Sequence, residues 1–332
     1  MAEETSAAKP ASVNTRVLSA LAAILIVNSH LEAYYPVSYL AGDGLFGYAL
    51  FFFIAGIGLG LSAKRDLRSF GSYYWRRFAR IYPTFLLMRI GYAAVTDEWS
   101  TLSPLKALSI FVWPTDNTFI GALMVDYIIL YAVLQYKRVD VVKKTIGAFL
   151  LPVVGLWIYE AGEMHKMQGM SLNWLFAGLV NFQMMLFGSA LGLNVGPIRK
   201  YRFGWDMVAT GTLFGMYVTA RIFMQRGTLP GVTYPLLFIL LAGMFYFLFQ
   251  MACSYELDAV FKYVPRVANL VALMGAATLE LYFVHERLVP LPELQRIRFP
   301  LNVVALWVVL LPLAILLEKL VTAFRKRVLK VQ

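Results

Sequence analysis

Four ionisable side chains stand in otherwise apolar stretches of this sequence. They are His30, Asp126, Glu280 and His285. An ionisable group costs several kcal/mol inside a bilayer, so each of these residues is a candidate for function. A histidine is largely neutral near pH 7 and can accept a proton, which points to general acid–base chemistry. A carboxyl group in such a place needs an arginine from another helix, or it must stay protonated.

Packing offers a competing interpretation for these residues. A buried histidine is often hydrogen-bonded to a neighbouring backbone carbonyl, and this explanation applies to both His30 and His285. Asp126 is as open to a structural role as to a functional one. The third histidine, His165, falls in a predicted outer loop and fits an ordinary surface position.

A cluster of arginines lies between two of the apolar stretches. The run Trp-Arg-Arg-Phe-Ala-Arg-Ile-Tyr-Pro occupies residues 75–83, and Arg76 and Arg80 share one helix face because they are four residues apart. The planar guanidinium group binds phosphate through two hydrogen bonds, so a phosphate-bearing cytoplasmic ligand is one interpretation. Anionic lipid headgroups are a second, and positive charge that sets topology beside an aromatic belt is a third.

The composition identifies the surroundings of these residues. Of the 332 residues, 60% are hydrophobic and only 15% are charged, whereas a soluble domain is about a quarter charged. These values exclude a soluble or disordered protein and predict a lipid bilayer as partner. The net charge of +11 is better explained by orientation in that bilayer than by nucleic acid. The single cysteine, Cys253, excludes an internal disulfide and a cysteine zinc site, and no metal-ligand spacing is present.

The apolar stretches predict an all-α, polytopic membrane protein with about ten transmembrane helices. A spanning helix needs about 20 mostly apolar residues. The predicted spans are residues 17–37, 45–62, 78–95, 119–135, 146–159, 172–193, 205–223, 232–253, 267–285 and 301–324. Residues 1–14 form a predicted disordered tail, 15–324 the membrane domain and 325–332 a basic cytoplasmic tail. Three glycines of the second span favour close helix packing: Gly56, Gly58 and Gly60.

Orientation follows from the basic residues. With the N-terminus in the cytoplasm, 22 of the 30 Lys and Arg residues fall on the cytoplasmic side. An even number of spans returns the C-terminus to that side, so both termini are predicted to be cytoplasmic. His30 lies 14 residues beyond Arg16, roughly 21 Å along a helix, which places it in the outer half of the membrane. His285 ends a span that runs outward, so the two histidines are predicted to share a depth.

The order of these motifs resembles the acyltransferase 3 family of bacterial integral membrane acyltransferases, and the resemblance covers the whole chain. The first span ends in His30. Residues 52–56 resemble the family's Phe-Phe-x-x-Ser-Gly pattern, with alanine for serine. Residues 76–83 match Arg-Arg-x-x-Arg-Ile-Tyr-Pro, the most specific of the patterns, and residues 278–285 resemble Ser-x-x-Ile-Tyr-x-x-His.

The resemblance implies an acyl-CoA donor, most often acetyl-CoA, that is supplied from the cytoplasm. Arg76, Arg77 and Arg80 would bind its phosphates, together with the neighbouring Tyr82. The acceptor would be a sugar hydroxyl of a polysaccharide or a lipid-linked oligosaccharide. This acceptor would be reached at the outer side of a bacterial inner membrane, alongside proteins of polysaccharide biosynthesis.

The resemblance also implies roles in the reaction itself. His30 would remove the proton from the sugar hydroxyl as a general base. Glu32 or Asp43, in the first outer loop, would orient His30 or bind the sugar, and His285 would assist. The further substrate-binding candidates are Asp126, Glu280 and Tyr282. No metal is implied.

One position of the first span departs from the family pattern. The family usually places an arginine eleven residues before the histidine, and that position is Ser19 in this chain. Arg16, one turn earlier, is the candidate substitute.

A second function remains open from the sequence. A secondary transporter or polysaccharide exporter would use Asp126 and Glu280 within the membrane. Many transporters are built from repeated halves with matched broken helices. The sequence shows no such repeat, which favours the acyltransferase hypothesis.

Overall fold

The computed structural model describes residues 13–42, 44–96, 103, 118–164, 174–195, 202–229 and 233–330. Within these ranges the regular structure is helical, which confirms the all-α prediction. Most of the predicted N-terminal tail, Asp43, His165 and the last two residues of the chain lie outside the described residues.

The described residues form thirteen α-helices and two short 3-10 turns. The helices are α1 (Thr15–Asn28), α2 (Gly44–Arg65), α3 (Phe70–Val95), α4 (Thr118–Leu134), α5 (Val139–Met164), α6 (Trp174–Leu193), α7 (Phe203–Gln225), α8 (Tyr234–Ala252), α9 (Tyr255–Tyr263), α10 (Pro265–Ala276), α11 (Thr278–Leu288), α12 (Pro292–Gln295) and α13 (Leu301–Arg327). The 3-10 turns, Glu32–Tyr34 and Ser38–Ala41, lie between α1 and α2.

Each of the ten predicted spans overlaps a helix, although the first continues past the end of α1 at Asn28. Only six of the described helices are long and apolar enough to cross a bilayer. These six are α2, α5, α6, α7, α8 and α13. Helix α1 has 14 residues and α4 has 17, which is short for a span. Helix α3 has 26 residues but carries the arginine cluster in its first half. The chain is therefore a multi-pass membrane protein with six candidate spans where the sequence predicts ten, and the side of the termini stays a prediction.

The ninth predicted span is two helices rather than one straight helix. Helices α10 and α11 meet at Ala277 with a bend of 76°. The Thr278 hydroxyl donates to the backbone oxygens of Gly275 and Met274, at 3.0 and 3.3 Å. Such bonding to the preceding turn competes with the helical hydrogen bonds and bends helices. If this pair is counted as one span, the number of candidate spans rises to seven.

Backbone contacts divide the chain into two units. The first comprises Met1–Ser19, Tyr48–Lys64 and Arg138–Ala272, and the second comprises Ala20–Gly47, Arg65–Lys137 and Leu273–Gln332. Apart from Arg16, every described site residue that was predicted from the sequence belongs to the second unit.

In the first unit, α2 and α6 pack backbone against backbone. A Cβ atom on Gly56 or Gly60 would collide with backbone carbonyl oxygens of α6. Gly188 and Gly192 occupy the corresponding positions of α6, where a Cβ would collide with carbonyl oxygens of α2. The predicted close packing is thus confirmed for two of the three glycines. Gly58 faces open space, because no atom of the described residues lies within 4 Å of the position that a Cβ atom would occupy.

Substituting Gly56 is expected to destabilise the protein, whereas substituting Gly58 is not. Gly56→Ala forces a methyl group against the backbone of α6, and overpacking of this kind costs about 1–3 kcal/mol. Gly58→Ala meets no neighbour and gains about 1 kcal/mol of helix propensity. Thermal unfolding of the two variants in detergent measures this difference. Equal unfolding temperatures would contradict the close packing of α2 and α6.

In the second unit, the chain after α1 is anchored to the end of α11 and the start of α13. The Tyr34 hydroxyl donates to the backbone oxygen of Val289 at 3.0 Å, and the Asn302 amide donates to the backbone oxygen of Tyr34 at 2.7 Å. Leu31 is fully buried in the same cluster. These contacts fix the backbone that immediately follows His30.

Candidate active site

The two membrane histidines lie side by side in the second unit. His30 follows the last turn of α1 with an exposed side chain, and His285 lies in the last turn of α11 with a fully buried one. Their ring centroids are 4.8 Å apart, and the ring planes make an angle of 50°. The sequence predicts a common depth for these residues, and the fold brings them together across 255 positions of the chain.

The hydrogen bonding of His285 defines its tautomer. Nδ1 lies 3.1 Å from the backbone oxygen of Leu281, and a carbonyl oxygen can only accept, so Nδ1 carries the hydrogen of the neutral ring. Nε2 is then a lone-pair acceptor, and it is buried without a hydrogen-bond partner among the described residues. The packing interpretation explains the Nδ1 contact. It leaves Nε2 unexplained, because a buried polar atom without a partner is unusual.

A second network holds the loop that carries His30. The Asn28 side-chain amide donates to the backbone oxygens of Leu40 and Ala41, at 2.9 and 2.7 Å. Its Oδ1 accepts from the Tyr35 hydroxyl at 2.6 Å. Because His30 is two residues beyond Asn28, this network limits the movement of the backbone that presents the imidazole. Sequence reasoning missed Asn28, although an amide within an apolar span was an available signal.

Two other predicted residues lie near the histidine pair. Glu32 opens the first 3-10 turn, is exposed, and attracts His30 electrostatically. Tyr282 is buried one turn before His285, and their ring centroids are 5.7 Å apart. Asp43, the third predicted residue of this region, lies outside the described residues.

The arginine cluster meets Glu280 near the start of α11. The Arg80 guanidinium lies 3.8 Å from one carboxylate oxygen of the fully buried Glu280 and donates to the backbone oxygen of Ala276 at 2.7 Å. The Thr84 hydroxyl donates to the other oxygen of Glu280 at 2.9 Å. Ala276 ends α10, so Arg80 satisfies a carbonyl at the break between the two helices. Glu280 therefore has the arginine partner that its position in the membrane requires.

The other members of the arginine cluster have different surroundings. The Arg77 guanidinium lies over the ring of Tyr73, 4.5 Å from its centroid, in a cation–π contact. Tyr82 is buried and stacks on Phe78, with ring centroids 4.3 Å apart. Arg76 is partly exposed and makes no hydrogen bond or ion pair within the described part of the chain. Of the three arginines, Arg76 is therefore the most available to a ligand.

Two predicted residues are not brought to the histidines or to Glu280. Asp126 is buried on α4, and one of its carboxylate oxygens has no partner among the described residues. No hydrogen bond or ion pair in the described ranges joins Asp126 to Glu280. Arg16 is exposed in the first turn of α1 and belongs to the first unit, whereas His30 belongs to the second. Among the described residues, no three His, Cys, Asp or Glu side chains form a group that could hold a metal ion.

The apolar helices define a multi-pass membrane protein, and its candidate site combines a pair of histidines with a buried ion pair. The model of the acyltransferase 3 family, described as an acyltransferase domain, matches residues 16–319. The chain therefore belongs to this family, and it is a membrane acyltransferase. No curated protein and no solved structure matches it significantly.

Proposed function

We propose that this protein transfers an acyl group, in the first instance acetyl, from cytoplasmic acyl-CoA to a sugar hydroxyl. The acceptor is a surface or exported polysaccharide, or the lipid-linked oligosaccharide from which it is made. The observation that carries the proposal is the histidine pair, in which an exposed imidazole lies against a buried one. Nε2 of the buried ring has no hydrogen-bond partner among the residues that the structure describes. In an acyltransferase family member, such a pair supplies the base that an alcohol acceptor needs.

The proposed reaction is a direct transfer. The acceptor oxygen attacks the thioester carbonyl carbon while His30 takes the hydroxyl proton, so a C–O bond forms and the C–S bond breaks. The proton then passes from His30 to the thiolate of coenzyme A, which leaves as a thiol. Nε2 of His285 can accept a hydrogen bond from a ring N–H of His30. In this role His285 orients the base rather than touching the substrate.

The donor is proposed to approach the start of α11, where Arg80 of α3 meets Glu280. Arg76 has no hydrogen-bond or ion-pair partner within the described part of the chain and is suited to a phosphate of the donor. Arg80 contacts Glu280 and Ala276 through one guanidinium nitrogen, and its other N–H groups can also bind a donor phosphate. Glu280 and His285 are five residues apart on α11, roughly 7.5 Å of helix. One short helix therefore links the proposed donor end to the histidine pair.

The ion pair of Glu280 favours this proposal over the transporter hypothesis. A transporter that moves protons or ions through Glu280 needs this carboxylate to exchange its partner. Glu280 is fully buried, bonded to Thr84 and paired with Arg80. These contacts fit a fixed structural charge.

Mass spectrometry of the cell's polysaccharides tests the proposed acceptor and the identity of the transferred acyl group. We expect that deletion of the gene removes one kind of O-acyl group from a surface or secreted polysaccharide of a bacterial host with an inner membrane. The intact gene should restore this group, and the same gene carrying His30→Ala should not. Identical acylation of every polysaccharide and lipid-linked oligosaccharide in all strains would overturn the proposal.

A further inference from the structure

A cluster of charges lies where α3, α11 and α13 pack together in the second unit. Helix α3 contributes Arg80, α11 contributes Glu280, and the last turn of α13 contributes Arg325. Arg325 interacts electrostatically with this pair, since Arg80 repels it while Glu280 and Glu318 attract it. The cluster thus consists of two guanidinium groups around a buried carboxylate.

Arg325 differs from the other basic residues at the end of α13. Its side chain is partly buried, and its Nε–H is fully buried without a hydrogen-bond partner among the described residues. One carboxylate oxygen of Glu280 accepts from Thr84, and the other lies 3.8 Å from Arg80 without a hydrogen-bond partner among the described residues. Glu318 accepts from Thr322 at 2.8 Å. A buried donor without an acceptor is unusual in a folded protein.

The simplest alternative is that Arg325 serves the end of its own helix. Basic side chains in the last turn interact favourably with the helix dipole, and basic tails set membrane topology. The exposed residues Lys326 and Arg327 can already interact with the helix dipole and supply the positive charge that sets topology. Neither of these roles explains why Arg325 lies within electrostatic range of Arg80, a like charge, and buries its Nε–H.

We propose that Arg325 is a further binding residue for the phosphate groups of the acyl-CoA donor. A phosphate between Arg325 and Arg80 would offset their repulsion and supply the missing acceptor, and guanidinium groups bind phosphate through two parallel hydrogen bonds. Arg76 lies one turn from Arg80 on the same face of α3 and extends the positive surface. This inference rests on the proposed function and names a residue that the sequence motifs do not contain.

Calorimetric titration of coenzyme A into the full-length protein tests this role. The protein is placed in nanodiscs of zwitterionic phosphatidylcholine, so that no anionic lipid competes. We expect Arg325→Ala to raise the Kd for coenzyme A about tenfold or more, the usual effect of losing a charge-assisted hydrogen bond. Arg327→Ala removes the same charge from an exposed position two residues away and should change the Kd less than about twofold. Arg325→Gln, which keeps most of the side chain, should resemble Arg325→Ala.

The possible results distinguish a failure of the role of Arg325 from a failure of the proposed function. If coenzyme A binds the wild-type protein and both Arg325 variants equally well, the role of Arg325 is overturned while the proposed function stands. A lipid headgroup at Arg325 would also overturn it, and this case has its own signature. Phosphatidylglycerol would then raise the unfolding temperature of the wild-type protein but not of the Arg325 variants, with coenzyme A affinity unchanged. A wild-type protein that binds no coenzyme A would instead overturn the proposed function.

Discussion

Replacement of His30 by alanine is expected to abolish acyl transfer while leaving the protein folded in the membrane. The side chain is exposed, so its removal opens no cavity in the core and gives up only the ring contact with His285. A positioned general base contributes about 10²–10⁴-fold to a rate. Initial rates of coenzyme A release from acetyl-CoA, measured with equal amounts of reconstituted protein, should therefore fall by at least two orders of magnitude.

The third histidine provides the matched control for this experiment. His165→Ala makes the same chemical change at a residue to which no role is assigned, and its rate should equal that of the wild-type protein. Unfolding temperatures of all three proteins show whether any loss of rate is a loss of fold. A His30→Ala protein that turns over at the wild-type rate would contradict the assignment of His30 as the base.

Loss of Arg80 is expected to cause a larger loss of stability than neutralisation of Glu280. Arg80→Ala leaves a fully buried carboxylate without its ion-pair partner, and orphaned buried charges cost about 3–5 kcal/mol. The substitution also removes the donor to Ala276 at the helix break. Glu280→Gln keeps a group that can bond to Thr84, and the Arg80 side chain, 34% exposed, can turn to solvent.

A double-mutant cycle makes this expectation quantitative. Arg80→Ala combined with Glu280→Gln should be more stable than Arg80→Ala alone, because the uncompensated charge is gone. Thermal unfolding in detergent measures all three variants. Arg76→Ala is the control on the same face of α3, and it should raise the KM for acyl-CoA without changing the unfolding temperature. If Arg80→Ala unfolds like the wild-type protein, the structural role of the ion pair is wrong.

Much of the fold follows from hydropathy alone. Every predicted span overlaps a helix, since a long apolar run in a bilayer has few alternatives to the helix. The exact form of the spans depends on local chemistry that a hydropathy count ignores. Thr278 bonds to the turn before it and splits the ninth span, and α1 ends at Asn28 because the amide of this residue bonds to the loop that follows.

Only part of the candidate site can be predicted from the sequence. Depth arguments predict His30 and His285 at one level of the membrane, but their contact is visible only in the fold. The partner of Glu280 could not be chosen, because several arginines lie at suitable depths and only tertiary packing selects Arg80. Thr84 is four residues beyond Arg80, so the spacing of one helical turn was the available signal for its contact with Glu280.

The most direct test of the central claim follows the acyl group itself. Purified protein in proteoliposomes is given acetyl-CoA labelled in the acetyl group, together with a polysaccharide fraction from its host. We predict that label appears as an alkali-labile ester on saccharide, in step with free coenzyme A, and that the His30→Ala protein forms neither product. Labelled saccharide at equal rates with both proteins, or none with the wild-type protein, would contradict this account.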